Sequence, residues 1–374
     1  MKKLKLFLLL TLLCPLILTG CKEKTSEKQT KEPAQPREET SATVNYNELS
    51  VKELSVYALE KDAKAAYRLG QIYDYGLMGE SQNYTESLKW YEAAADKNYG
   101  KACSALGYFY LNGCGVDRDF DTAKDYFTRA IKYGDEEGYV GYGRIILEQK
   151  EEENYHLAFL DFKEAAAVVL LDGVYYMGYM YQNGYGVTEN INKAVFSYNL
   201  VLLNQTDAIE DRFAVNSSTT GLGIIYATGK LEKADGKKAI EYFESAAEDG
   251  FAPAQYYLGT MYLNGIATNR DYEEALNCFE SAGEKDYAPA LCQIGYMYFN
   301  GLGVDSDYEQ AVYYQKLAAA QGYAPAQINL GFLYENGYGV EKNLQTALSY
   351  YRLANEQGYE GATEAIVRMM DTNR

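Results

Sequence analysis

Ala324-Pro325-Ala326-Gln327-Ile328-Asn329-Leu330-Gly331, followed by Tyr334 and then Asn336-Gly337-Tyr338-Gly339-Val340, is one copy of a unit that recurs along this chain. A second copy is Ala252-Pro253-Ala254-Gln255-Tyr256-Tyr257-Leu258-Gly259, with Tyr262 and Asn264-Gly265 after it. Aligned on the glycine, the copies centre on Gly70, Gly107, Gly143, Gly178, Gly223, Gly259, Gly295 and Gly331, at intervals of 37, 36, 35, 45, 36, 36 and 36 residues. Three residues on stands a tyrosine in every copy except the third, which has Ile146. Such self-similarity marks a repeat architecture in which each unit contacts mainly its neighbours. Each unit reads as helix A, a glycine turn and helix B. Proline near the start of helix A is tolerated because the first N–H groups of a helix are unpaired anyway. Glycine after the helix suits a left-handed cap. The fold class is therefore all-α, an α/α solenoid of about eight two-helix repeats of ~36 residues.

The phase of helix A separates two faces. With 100° per residue, positions −5, −1, +2 and +3 from the repeat glycine share one arc. Position +2 is Ile72, Phe109, Ile145, Met180, Ile225, Met261, Met297 and Leu333, apolar throughout, so this arc is the expected core stripe and its tyrosines at +3 are packing residues. Positions −3, +1 and +4 point the other way. There the chain places Tyr108, Leu111, Tyr179, Leu263, Tyr296, Phe299 and Phe332, with Gln71 and Arg144 interrupting the ladder. Exposed apolar stripes mark partner surfaces, and these seven residues are the candidate partner-binding groove. The alternative is that they pack against helix A of the adjacent repeat.

Two places break the pattern. The third copy lacks the glycine turn and carries Glu148-Gln149-Lys150-Glu151-Glu152-Glu153 instead. The 45-residue interval adds residues between Leu203 and Thr220, read as a tolerated loop, a bend or binding feature, or a longer helix A in the fifth repeat. The tail from Glu360 to Met370 is expected to be a capping helix over the last exposed face.

The N-terminus has a different character. Lys2, Lys3 and Lys5 precede the nearly all-apolar run Leu6 to Leu18, too short to span a bilayer, which ends in Leu18-Thr19-Gly20-Cys21. This resembles a bacterial lipobox, which implies that residues 1–20 are a signal peptide and that Cys21 is the lipidated residue. Residues 21–43 are polar, lack aromatic side chains and balance their charges, so they read as a flexible tether. Its root-mean-square span is roughly 25 Å. Residues 44–374 are the repeat array and cap. Loss of three signal lysines takes the net charge from −18 to −21.

The repeat resembles the Sel-one-like family, relatives of the tetratricopeptide repeats. The period near 36, the turns Gly113 to Val116, Gly184 to Val187, Gly301 to Val304 and Gly337 to Val340, each reading Gly-x-Gly-Val, and the Ala-x-Ala start carry the likeness. It implies a protein-binding solenoid with positions −3, +1 and +4 lining the concave side.

Little in the chain suggests catalysis. His156 is the sole histidine, so no Ser-His or Cys-His set is evident, and there is neither a His/Cys metal cluster nor a phosphate loop. No cofactor is expected. The acidic balance disfavours nucleic acid. Cys278 and Cys292 flank one turn and either bridge or remain core thiols. The expected function is a membrane-anchored interaction scaffold or adaptor in a bacterial cell envelope, facing the periplasm or the exterior. Its partner would be a protein or peptide, basic or polar-rimmed, and its only membrane contact the lipid. A glycan-binding module is the alternative, and a hydrolase the third reading. Replacing Cys21 tests the anchor: Cys21→Ser should release the protein from membranes or block its processing. A processed, detergent-requiring Cys21→Ser species in the membrane fraction would show the lipoprotein reading to be wrong.

Overall fold

The computed structural model describes residues 44–206 and 208–372. The signal, Cys21 and the tether lie outside them. Among the described residues there are eighteen α-helices and no strand. A first helix, α1 (Val51–Leu59), starts on Ser50, whose side chain and that of Glu53 cap each other's backbone N–H. It covers one end of the array through Leu54.

Eight helix pairs follow: α2 (Ala63–Tyr75) with α3 (Tyr84–Ala95), α4 (Gly100–Asn112) with α5 (Phe120–Lys132), α6 (Glu137–Glu148) with α7 (Tyr155–Ala167), and α8 (Leu171–Asn183) with α9 (Ile191–Asn204). Then come α10 (Arg212–Thr228) with α11 (Gly236–Glu248), α12 (Ala252–Asn264) with α13 (Tyr272–Gly283), α14 (Ala288–Asn300) with α15 (Tyr308–Ala320), and α16 (Ala324–Asn336) with α17 (Leu344–Glu356). The expected cap is α18 (Glu360–Thr372), which buries Ala362, Ala365 and Met369 and sends Arg368 to Glu335, 2.6 Å away.

Each pair closes on the same contact. The repeat glycine of helix A lies flat against a ring from helix B: Gly70 on Tyr91, Gly107 on Phe127, Gly143 on Phe162, Gly178 on Tyr198, Gly223 on Phe243, Gly259 on Phe279 and Gly331 on Tyr351. A methyl group added at Gly107 would stand 2.5 Å from Phe127, and at Gly259 2.8 Å from Phe279. No side chain fits at such distances. In the seventh pair Gly295 meets Gln315, whose Nε2 donates to the Cys292 carbonyl at 2.9 Å.

Around this contact the core stripe is as the helical phase predicts. All eight side chains at +2 are at most 4% exposed, each worth about 1.5–3 kcal/mol of burial. The tyrosines at +3 are half-buried, and four of them stack on helix B. Tyr110 lies 5.6 Å from Tyr126, Tyr226 5.6 Å from Tyr242, Tyr298 5.7 Å from Tyr314 and Tyr334 5.9 Å from Tyr350, all within 17° of parallel. The carbonyl of that tyrosine accepts from the residue that caps helix B, as from Asp119 to Tyr110 and Asp307 to Tyr298. The side chain of each of these Asp residues then caps the first N–H groups of its helix.

The second glycine of Gly-x-Gly-Val joins one repeat to the one before. Gly115 docks on Tyr84, Gly186 on Tyr155, Gly303 on Tyr272 and Gly339 on Tyr308, the first residue of helix B in the preceding pair each time. Gly339 has φ +63° and its α-carbon faces the Tyr308 backbone, so both its conformation and its lack of a side chain are used.

The third copy forms a full pair despite its charged turn, because Gly143 and Phe162 retain the closing contact. Gln149, where other copies have a left-handed glycine, stays right-handed, the left-handed turn moves one residue on to Lys150 at φ 55°, and Glu148 pairs with Arg118 and Arg144. The insertion does lengthen helix A of the fifth pair, 17 residues against 13 in most others. Cys278 and Cys292 are free thiols, not a bridge. Burial pushes both up to about 11, away from nucleophilic use at neutral pH.

Because the glycine contact is local to each pair, Gly259→Val should abolish hydrogen-exchange protection in the fifth to seventh pairs while the first stays protected. Uniform loss along the array would contradict this.

Candidate partner-binding groove

Helices A of alternate elements touch one another, α4 with α6, α8 with α10 and α10 with α12. That closeness puts helix A on the inner side of the solenoid and helix B outside. The groove is thus built from the turns and helices that carry +1 and +4.

Its N-terminal half is filled. Leu111 is wholly buried with Ala123, Phe127 and Ile145, so it belongs to the core and not to an open wall. The phase of an isolated helix put it with the groove; the next repeat's helix A covers it. Tyr108 sets its ring edge-on to Phe127 at 5.1 Å, donates its hydroxyl to Glu137 at 3.0 Å and carries the Arg144 guanidinium 5.2 Å over its face. Burial, with the Glu137 charge beside it, raises its phenol well above the ordinary range. Here the adjacent-repeat packing alternative holds.

Below Tyr108 lie Glu137 and Asp172. Both retain some accessible surface but sit among dense neighbours, as on a groove floor. Burial raises both carboxyls, and the Asp172 charge raises Glu137 further, while Arg144 holds Asp172 down. The insertion closes this half. Its short 3₁₀ turn, Ile209–Asp211, brings Glu210 to accept from Gln71 Nε2 of the first pair at 3.2 Å, across 139 residues. The insertion is thus a strap across the groove.

Tyr179 and Leu263 are half-buried. Tyr179 lines a cleft of about 280 Å³ with Leu147, Lys150, Glu152, Tyr155 and Tyr185. The C-terminal half is open. Tyr296 is 46% and Phe332 41% exposed, and Phe299 meets Phe332 at 5.9 Å. Tyr308 and Tyr338 join them, 5.1 Å apart. Neither was among the residues that helical phase nominated, since one begins helix B and the other occupies a turn. The glycine pair around Tyr338 was the available signal. His156 is exposed, its Nδ1 3.0 Å from the Glu153 carbonyl. Among the described residues no group of three or more His, Cys, Asp or Glu could hold a metal ion, and no helix is long and apolar enough to cross a membrane.

The Sel1 repeat model matches residues 63–99, 100–135, 171–196, 217–251, 252–287, 288–323 and 324–359, more than half of the chain. The chain belongs to the Sel1 repeat family. Sel1 repeats are protein–protein interaction modules. The pair α6 and α7 falls in the gap between matches, so the fold continues where the Sel1 sequence pattern lapses. A Sel1 repeat protein from Oxalobacter formigenes has the same fold at TM-score 0.50 and 22% identity, over 90% of this chain and 98% of that one. Among curated proteins, the chitin synthase regulator SKT5 of Malassezia restricta is 35% identical over 88 residues, and the ERAD-associated E3 ubiquitin-protein ligase component HRD3B of Arabidopsis thaliana 31% over 93. These matches take in 23% and 24% of this Sel1 chain, and span only 6% and 14% of the lengths of those relatives.

The floor carboxyls give a pH test. Well below the usual Glu value of 4.5, Glu137 is protonated folded or unfolded. As pH rises past it the unfolded chain ionises first, so stability falls until Glu137 itself ionises in the fold. Glu137→Gln should therefore gain in melting temperature over the parent as pH rises from acid to neutral. A gap that shrinks over that range would contradict the burial argument.

Proposed function

We propose that this chain is a lipid-anchored, non-catalytic scaffold of a bacterial cell envelope that binds a protein or extended peptide along the concave side of its Sel1 array. The carrying observation is the row of exposed rings on the C-terminal inner face, Tyr296 and Phe332 with Phe299 beside them. Rings left open to water on the inner side of an interaction repeat are anchors for a partner: tyrosine offers wide contact and a hydroxyl at little entropic cost. Two relatives, a chitin synthase regulator and a ubiquitin-protein ligase component, fit a role exercised through other proteins. The lipobox at Cys21 supports the anchor, and an envelope location facing the periplasm or the exterior follows from it. The net charge of −18 favours a basic or polar-rimmed partner through long-range steering.

The test begins with capture from the native envelope by the chain lacking residues 1–21, read by mass spectrometry. Binding of the captured protein is then measured with Tyr179→Ala and Tyr296→Ala combined. The expected result is near-native melting with affinity weaker by about 2 kcal/mol or more. A collapse in melting temperature would assign the rings to packing, and unchanged affinity in a folded variant would end the groove hypothesis.

A further inference from the structure

Four rings from two adjacent repeats form one cluster at the C-terminal end of the groove. Phe299 of α14 lies 5.2 Å from Tyr308 of α15, 5.9 Å from Phe332 of α16 and 5.5 Å from Tyr338 in the following turn. Tyr338 also lies 5.1 Å from Tyr308 and 5.8 Å from Phe332. Tyr308, Phe332 and Tyr338 are 42%, 41% and 37% exposed. The cluster is held by the docking of Gly339 on the Tyr308 backbone, so its arrangement is set by the fold.

The charges around the cluster are those of its turns, not of a cation laid on its rings. Among the described residues, nine other rings carry a lysine or arginine of this chain over the face, from Lys238 over Tyr226 at 4.1 Å to Arg270 over Tyr272 at 6.0 Å. None of the four cluster rings is among them. The two turns and helix start that frame the cluster, residues 301–309 and 337–343, hold exposed Asp305, Asp307, Glu309 and Glu341 against one basic residue, Lys342. The corresponding positions in the third and fourth repeats are Leu147, Tyr155, Tyr179 and Tyr185, and there Lys150 lines the cleft. The earlier box has Lys150 beside Glu152 in its lining; the last box has three exposed rings and, in the turns beside it, an excess of carboxylates.

We propose that the box of Phe299, Tyr308, Phe332 and Tyr338 receives a basic side chain, arginine in preference to lysine, of a peptide partner. This rests on the interaction-scaffold reading and names the chemistry recognised at its C-terminal end. Ring faces attract cations, most strongly when water is displaced. A guanidinium is planar, weakly hydrated and able to stack on one ring while donating to a carboxylate at the rim. An apolar anchor would use the rings but make no use of the carboxylates.

The experiment uses the full-length chain in detergent and a fluorescein-labelled Gly/Ser peptide carrying two arginines, followed by anisotropy at low and raised salt. Matched peptides carry citrulline, lysine or leucine in place of arginine. The arginine peptide should bind saturably and weaken with salt, and citrulline should cost about tenfold or more, as expected for a desolvated cation–π contact. Tyr338→Ser, a turn substitution, should lower arginine-peptide affinity by about the same factor with unchanged melting. Tyr313→Ser, on exposed helix B, should leave it alone. Absence of saturable arginine-peptide binding overturns the proposal, as does equal binding of the citrulline or leucine peptide or an unaffected Tyr338→Ser. An envelope partner that binds Tyr338→Ser normally overturns the box and spares the scaffold reading. Failure to find any saturable envelope partner overturns that reading itself.

Discussion

A missing methyl group sets the spacing of this molecule. At each repeat glycine helix B pushes a side chain, in seven pairs an aromatic ring, against the backbone of helix A, at a distance no Cβ could share. The ring then fixes how close the two helices come, and that closeness lets the tyrosine at +3 stack on its helix B neighbour. The arrangement is repeated with enough force that the third pair forms without its glycine turn. The seventh pair shows what the ring contributes by omitting it. Gln315 fills the space and donates through Nε2, but its Oε1 is buried with no partner, a cost of about 1–3 kcal/mol that an aromatic ring does not incur.

Spacing within a pair does not determine how pairs follow one another. In four repeats that is done by the second glycine of the Gly-x-Gly-Val turn, which brings the turn onto the start of the preceding helix B. Where this contact is made, the residue between the two glycines is pressed toward the inner face. Tyr185 and Tyr338 are such residues, and each meets a tyrosine at the start of the preceding helix B: Tyr155 at 5.1 Å and Tyr308 at 5.1 Å. The same device that stacks the repeats thus builds the ring boxes.

This explains which parts could be read from the chain alone. The pairs, the core stripe, the cap and the longer helix after the insertion all follow from period and phase, because those features depend on one helix and its immediate partner. The groove depends on three helices at once. Leu111 and Phe299 share position +4, yet Leu111 is sealed under the next helix A while Phe299 borders an open cluster. Position on a single helix cannot distinguish them; the difference lies in what the neighbouring repeat places opposite. Tyr308 and Tyr338 escaped for a related reason, since neither lies on helix A. The contact of Gln71 with Glu210 spans four repeats and depends on accumulated curvature, which no local pattern encodes.

The two halves of the groove consequently offer different chemistry. In the first half a cation is already in place: Arg144 covers Tyr108 and pairs with Glu148, and the strap at Glu210 closes the approach. A basic partner entering there would have to displace Arg144 from the Tyr108 face and from its ion pair with Glu148. In the second half the rings are uncovered and the carboxylates stand at a wetted rim, where a cation gains attraction without first stripping a buried pair. On the proposed reading, the acidic field would steer basic chains to the whole molecule, while local desolvation would decide where they could settle. The proposed preference for the C-terminal end would arise from that difference in cost, although both halves are built from the same repeated contact.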